Sequence, residues 1–311
     1  MTRPRPLRTL DEVVQTLRSG SACSVLVEGE EQASDAWILK SILLDTLGEE
    51  VTFHGRDGRE RLLSELPGFL QQFPNDRIFA ILDRDFLEDG LVERGYAPNY
   101  PGHLFVWRRF TIENYLLEPA GVAEAIEEFY MHQPERISEA LRSAETVEQF
   151  LLGWCRRLAP QVAGSWVISD LNREARGRGL SVEARRYFED LTQRDSAWVL
   201  AELIRHYDGW RMAHPDLFNE GAVKARFEDR LNRVSAKAQT LSGAHQVVSG
   251  KVIMKALYAE LPEGPKPGKE YVRNRLVRLA SKQVPEDIRI LVEERIIPRW
   301  RRMRSGGLTG T

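Results

Sequence analysis

Cysteine is scarce in this chain, with two residues in 311, Cys23 and Cys155. They lie far apart and have no His or Cys neighbour at metal-ligand spacing, so the sequence supports neither a disulfide framework nor a zinc ribbon. Both read as small buried residues. Long apolar runs are also missing. No stretch of about 18 apolar residues occurs, as a membrane-spanning helix would need. The opening MTRPRPLRTLDEVV has arginine and proline but no apolar block of the signal-peptide kind. The expectation is a soluble, cytoplasmic protein without membrane contact. No internal repeat of fixed period is visible.

What is present suffices for a core. Apolar residues make up 42% of the chain and every aromatic type occurs, as in one large or two ordinary globular domains. The net charge of −2 conceals an asymmetry. Residues 1–150 hold 15 Lys+Arg against 27 Asp+Glu, and the remainder holds 29 against 19. An acidic half beside a basic half suits an enzyme that holds cations with carboxylates and phosphates with arginines. It also suits solvated helix faces that happen to differ in sign.

Ser24 to Glu28 (SVLVE) is a short apolar run ended by Gly29, and apolar residues then recur at helical spacing from Ile38 to Leu47. A strand around Val51 to Phe53, a helix carrying Leu62 to Phe73, a strand RIFAILD at 77–83 and a strand at Leu104 to Trp107 continue the alternation. The spacing predicts an α/β fold with a mainly parallel sheet flanked by helices. Thr111 reads as the N-cap of a short helix that stops before Pro119. Beyond about residue 120, amphipathic stretches such as AETVEQFLLGWCRRLA and AWVLAELIRHYDGW predict a mostly helical C-terminal region. The expected domains are 1–120 and 121–311. LPEGPKPG at 261–268 reads as a loop before a basic helix 270–283 and a terminal helix 285–303, and the tail SGGLTGT as disordered.

Glu28 and Asp83 fall at the carboxyl ends of two predicted strands, outside which ligand crevices of open α/β sheets lie. In Asp83-Arg84-Asp85 the acids are two positions apart, so in an extended segment they project to one side and can share a hard cation. Magnesium suits such oxygen ligands, with manganese as the alternative, and one or two ions there can activate water and neutralise a leaving oxygen. Taken singly, an Asp-x-Asp is common in acidic loops and a Glu-Gly is commonly a plain turn. The order of strand, Glu-Gly, helix, strand, helix, strand and Asp-x-Asp joins them.

Val27-Glu28-Gly29 followed by Ile81-Leu82-Asp83-Arg84-Asp85 resembles the Toprim domain shared by topoisomerases, DnaG-type primases and OLD-family nucleases. The segment Trp107-Arg108-Arg109-Phe110-Thr111-Ile112-Glu113-Asn114-Tyr115-Leu116-Leu117, with the later Ser249-Gly250-Lys251, is similar to OLD-like Toprim proteins, in particular the Toprim effector subunit of PARIS anti-phage systems. The resemblance covers about residues 22–118. It implies a metal-dependent endonuclease with Glu28 as general acid/base or metal ligand and Asp83 and Asp85 as metal ligands. It further implies RNA, including tRNA, as the favoured substrate with DNA as the alternative, an ABC-type ATPase partner that holds the effector latent, and a homodimer when active. Relatives commonly have Glu-Gly-x-x-Asp, whereas here that position is Gln32 and the nearest acid is Asp35. Asp35 is a candidate ligand, although an acid in a first helical turn also complements the helix dipole.

Glu113 is a secondary metal candidate with the same helical alternative, and Asn114 and Tyr115 are expected to fix their helix against the sheet. Lys251 is a candidate for steadying a phosphate or a leaving group's charge; otherwise it is an exposed lysine after a glycine turn. It is not in a P-loop, because His245 stands where the first glycine belongs and Val252 follows the lysine. His54, at a further strand end, is a weaker candidate. The arginine-rich stretches 172–178, 273–278 and 299–304 are the expected substrate-holding or partner-docking surface, with Trp300 available for base stacking. A strand-passing or primer-making enzyme is disfavoured, since neither a zinc ribbon nor room for further domains is present. A non-catalytic Toprim-like interaction module is the remaining alternative.

Overall fold

The structure is a computed structural model and describes residues 7–20, 22–29, 35–73, 76–180, 182, 190–261 and 267–306. Gln32 and the tail after Gly306 lie outside the described residues. The chain forms two compact units. One joins the residues up to Arg108 with those from Arg273 onward, and the other is the continuous run Arg109–Val272. The break thus falls earlier than residue 120. The basic C-terminal helices also return to the sheet unit, a step that amphipathic periodicity does not mark.

The sheet unit begins with α1 (Leu7–Ser19), which packs on β1 (Cys23–Val27). There follow α2 (Asp35–Leu47), β2 (Val51–Gly55), α3 (Arg59–Gln72), β3 (Ile78–Leu82), α4 (Asp89–Tyr96) and β4 (Leu104–Val106). Helices α1 and α4 are additional to the expected elements. Every residue of β1 and β3 is buried, which is why CSVLV and IFAIL read as continuous apolar runs, as strands covered on both faces do. The sheet is parallel throughout with order β2-β1-β3-β4. From β1 the chain moves outward to β2, and from β3 it moves the opposite way to β4. The β1/β3 boundary is therefore the switch point at which an open α/β sheet offers a crevice.

The unit closes with α12 (Pro267–Lys282), within which the boundary between units falls, then α13 (Glu286–Arg289), a π-helical segment Ile290–Ile296, and α14 (Ile297–Gly306). The predicted helix 285–303 is thus one continuous helical run with a widened middle. Ile296, Ile297 and Trp300 are buried, at the spacing of one apolar stripe. Trp300 is 1% exposed, which corrects its expected role as a base-stacking group. Arg299 is likewise occupied, paired with Asp76 at 2.6 Å and lying over the Phe79 ring at 4.9 Å.

The helical unit opens with a 3₁₀ turn, Ile112–Leu116, and α5 (Pro119–Phe129). The 34-residue α6 (Ala144–Gly177) follows, capped by Ser143, which accepts from the Thr146 N–H at 3.2 Å. Around it come α7 (Ser196–Arg211), α8 (Pro215–Phe218), α9 (Glu220–Lys237), α10 (Leu241–Ala244) and α11 (Gly250–Glu260). Leu171, Leu203, Tyr207, Phe218 and Phe227 share one apolar cluster. Tyr207 and Phe218 stack with centroids 4.8 Å apart. Cys23 and Cys155 are buried free thiols, each pushed up by burial, Cys155 to about 12. No helix among the described residues is long and apolar enough to cross a membrane.

Candidate functional site

The end of β1 lies beside the end of β3, with Val27 opposite Ile81. The residues that follow each strand therefore meet across the switch point. The Asp83 backbone N–H donates to Glu28 Oε1 at 3.1 Å, tying together two positions 55 residues apart in sequence. On the other side of β1, Val27 is opposite Gly55 at the end of β2. The Arg56 N–H donates to the Val27 carbonyl at 2.7 Å and the Gly58 N–H to the Glu28 carbonyl at 2.8 Å. Gly58 has φ +94°, a conformation that L side chains rarely adopt, and it turns the chain into α3 so that Arg59 opens the helix.

Arg59 is the residue that sequence reasoning missed. Its Nε donates to Glu28 Oε1 at 3.1 Å, its Nη1 pairs with Asp85 Oδ2 at 3.2 Å, and its Nη2 donates to the Asp83 carbonyl. The available signal was its position after a strand and a glycine, but it sits in a charged run, RDGRER, that resembles a solvated helix start. The other arginines nearby have different tasks. Arg56, buried, donates from Nε to Glu65 at 2.7 Å. Arg84, also buried, pairs with Asp89 and donates to the Arg108 carbonyl at 2.9 Å.

The extended arrangement expected for Asp83-Arg84-Asp85 is not what forms. Asp85 has φ +46° and the Leu87 N–H donates to the Arg84 carbonyl at 3.1 Å, so the chain turns at Asp85. The carbonyl of Asp83 and the carboxylate of Asp85 then face the same guanidinium. A left-handed backbone at a non-glycine residue costs roughly 1–2 kcal/mol, and aspartate is among the few residues that tolerate it. The Asp83 carboxyl is buried at 4% exposure. Asp35 is the first residue of α2 and buried, as the dipole reading allows.

Burial pushes the Glu28 carboxyl up to about 7; Arg59 pulls it down, while the charges of Asp85 and Asp35 push it further up. Glu28 is therefore part protonated near neutrality, the condition in which a carboxyl can both give and take a proton. Its neighbours Asp35, Asp83 and Asp85 supply only oxygen donors, the chemistry that a hard divalent cation prefers. The geometry, however, is not that of a ready centre. Among the described residues no group of three or more His, Cys, Asp or Glu stands arranged to hold a metal, and Arg59 is bonded to the oxygens that a cation would need.

Glu113 and Lys251 belong to the helical unit, where a neutral knot joins their elements. Asn114, wholly buried, accepts on Oδ1 from the N–H groups of Thr111 at 2.9 Å and Gly250 at 3.0 Å, and donates from Nδ2 to the Val248 carbonyl at 3.0 Å. Asn114 thus fixes its turn against the start of α11. Tyr115 accepts from the Arg109 N–H at 3.3 Å. Gly250 is required here, because a Cβ would lie 2.4 Å from the Asn114 nitrogen. Lys251 follows it, exposed, and Glu113 is half-buried.

His54 is buried, and burial together with Arg56 lowers it to about 4, so it is a neutral interior imidazole. The three arginine-rich stretches divide between the units. In 172–178, Asn172 is buried against Tyr207, Glu174 pairs with Arg226 at 2.6 Å and Arg178 pairs with Asp216. In 273–278, Arg273 lies over Trp37 at 5.3 Å. Compared with models of known protein families and with curated proteins, the chain matches none.

Proposed function

We propose that this protein is a metal-dependent endonuclease of Toprim type, with its centre at Glu28, Asp83 and Asp85. The observation that carries the reading is the meeting of Glu28 and Asp83 across the β1/β3 switch point, with Asp85 reached through the shared guanidinium of Arg59. Phosphodiester hydrolysis needs a group that moves a proton near neutral pH and a means of neutralising charge on phosphate oxygens. Glu28, raised to about 7, suits the first task. Glu28, Asp83, Asp85 and Asp35 are the residues that would hold a magnesium or manganese ion, and such an ion supplies Lewis acidity to the second.

RNA, tRNA included, is the favoured substrate and DNA the alternative. The role of effector in anti-phage defence, held latent by an ABC-type ATPase and dimeric when active, rests on the motif resemblance. A second reading, a Toprim-like interaction module without catalysis, is favoured by the position of Arg59 on the acids.

The test is incubation of the full chain with Mg²⁺ and, in parallel, total RNA and plasmid DNA, followed by sequencing of the cut ends. Cleavage by the natural protein is expected, with loss in Glu28→Ala and in Asp83→Ala with Asp85→Ala while circular dichroism stays native. Equal metal-dependent cutting by these variants would sink the proposal, and no cutting together with no stabilisation by metal favours the interaction module.

A further inference from the structure

We propose that Arg59 is a tethered cation that closes the acid cluster when no divalent ion is bound, and that an entering ion must displace it. The inference rests on the reading of this cluster as a metal centre. One guanidinium reaches Glu28 Oε1, Asp85 Oδ2 and the Asp83 carbonyl together. These oxygens are the hard donors that a magnesium or manganese ion would take. The lone pair that accepts from Arg59 Nε cannot at the same time ligate an ion, so the two cations compete for one position.

Two further observations separate Arg59 from an arginine built in for good. Its side chain keeps 28% exposure, whereas those of Arg56 and Arg84 keep 1% and 4%. The exposed flank gives it a way out. Its backbone is also anchored independently of its side chain, since the Gly58 N–H holds the turn to the Glu28 carbonyl at 2.8 Å. Rotation about the side-chain bonds of Arg59 therefore opens the cluster without moving α3. While it remains in place, a guanidinium that never loses its proton keeps the mutually repelling acids together.

Competition of this kind weakens apparent affinity by the fraction of molecules that are open. A cluster closed in nine molecules of ten binds about tenfold more weakly than its intrinsic constant. A permanent staple predicts the reverse, because without it the acids spread and affinity falls.

The experiment is calorimetric titration of Mn²⁺ into the metal-free full chain at pH 8, for the natural protein, Arg59→Gln, Arg59→Lys and Glu28→Gln. Arg59→Gln is expected to bind about tenfold more tightly, Arg59→Lys to fall between, and Glu28→Gln to lose binding. Unchanged or weaker binding by Arg59→Gln, with Glu28→Gln still defective, overturns this inference and leaves the metal reading standing. Binding that is absent from the natural protein and Arg59→Gln alike, or that survives Glu28→Gln, overturns the metal reading and this inference with it. Should the Arg59 variants fail to fold, phenylglyoxal labelling of the natural protein, read at Arg59 by mass spectrometry, decides the matter. Saturating Mn²⁺ is expected to speed labelling at Arg59, and unchanged or slower labelling overturns the inference.

Discussion

At the carboxyl ends of β1 and β3 the carboxylates of Glu28 and Asp85 and the carbonyl of Asp83 gather on one arginine, whereas at the start of α11 a single neutral side chain, Asn114, joins Thr111, Val248 and Gly250. Both are polar groups inside a folded unit. In the helical unit the groups are matched donor to acceptor, so each bond stabilises and each loss leaves a partner stranded. In the sheet unit like charges are crowded, and burial holds the Glu28 carboxyl at about 7. The matched knot serves the fold. The crowded cluster costs stability and retains the capacity to take up a proton.

The largest effect expected from this contrast is in the helical unit. Asn114→Ala strands the N–H groups of Thr111 and Gly250 and the carbonyl of Val248, for a loss of about 3 kcal/mol or more. Gly250→Ala, which has no room for its Cβ, should be of similar size. Urea denaturation of each variant checks this, and a loss under about 1 kcal/mol in both would break the contrast.

Next in size is Glu28→Gln, which should stabilise. The Glu28 carboxyl is raised from 4.5 to about 7, so between these values the folded chain holds a proton that the unfolded chain has released. Stability from this residue is full below about pH 4.5 and falls as pH rises to about 7. Glu28→Gln, which cannot ionise, should gain about 1–3 kcal/mol at pH 8 and little at pH 4.5. Melting curves at the two pH values decide it, and a variant less stable than the natural protein at pH 8 would remove the argument for crowding.

The smallest effect runs the other way. His245, buried and accepting at Nδ1 from Arg109 at 3.2 Å, is lowered from 6.5 to about 3, first by burial and then by the arginine. The unfolded chain then binds the proton first, so stability falls as pH drops below 6.5. The loss at pH 5.5 is about 1 kcal/mol, and His245→Gln should remove it. Comparison of denaturation midpoints at pH 7.5 and 5.5 for the two proteins measures the difference.

Much of the sheet unit was legible because its central strands are covered on both faces and therefore read as unbroken apolar runs. Glu28 and Asp83 could be found because each ends such a run. Arg59 could not, since Arg56, Arg59 and Arg61 look alike in RDGRER and only the left-handed turn at Gly58 sets the middle one apart. Trp300 was misjudged by its arginine neighbours, although Ile296, Ile297 and Trp300 carried the spacing of a buried stripe. The charge asymmetry of the two sequence halves also fades on folding. The sheet unit holds 22 Lys+Arg and 22 Asp+Glu, and the helical unit 22 and 24, because the basic residues from Arg273 onward join the acidic segment up to Arg108.

That return has a consequence for how the molecule is made. Residues 109–272 form an uninterrupted unit, while the sheet unit needs pieces from both sides of it. A ribosome adding roughly 5–20 residues per second delivers the helical unit whole before α13 and α14 exist. Trp300, fully buried in the sheet unit, emerges only after that helical unit. The strands that carry Glu28 and Asp83 therefore wait for their full cover until the whole helical unit has been made.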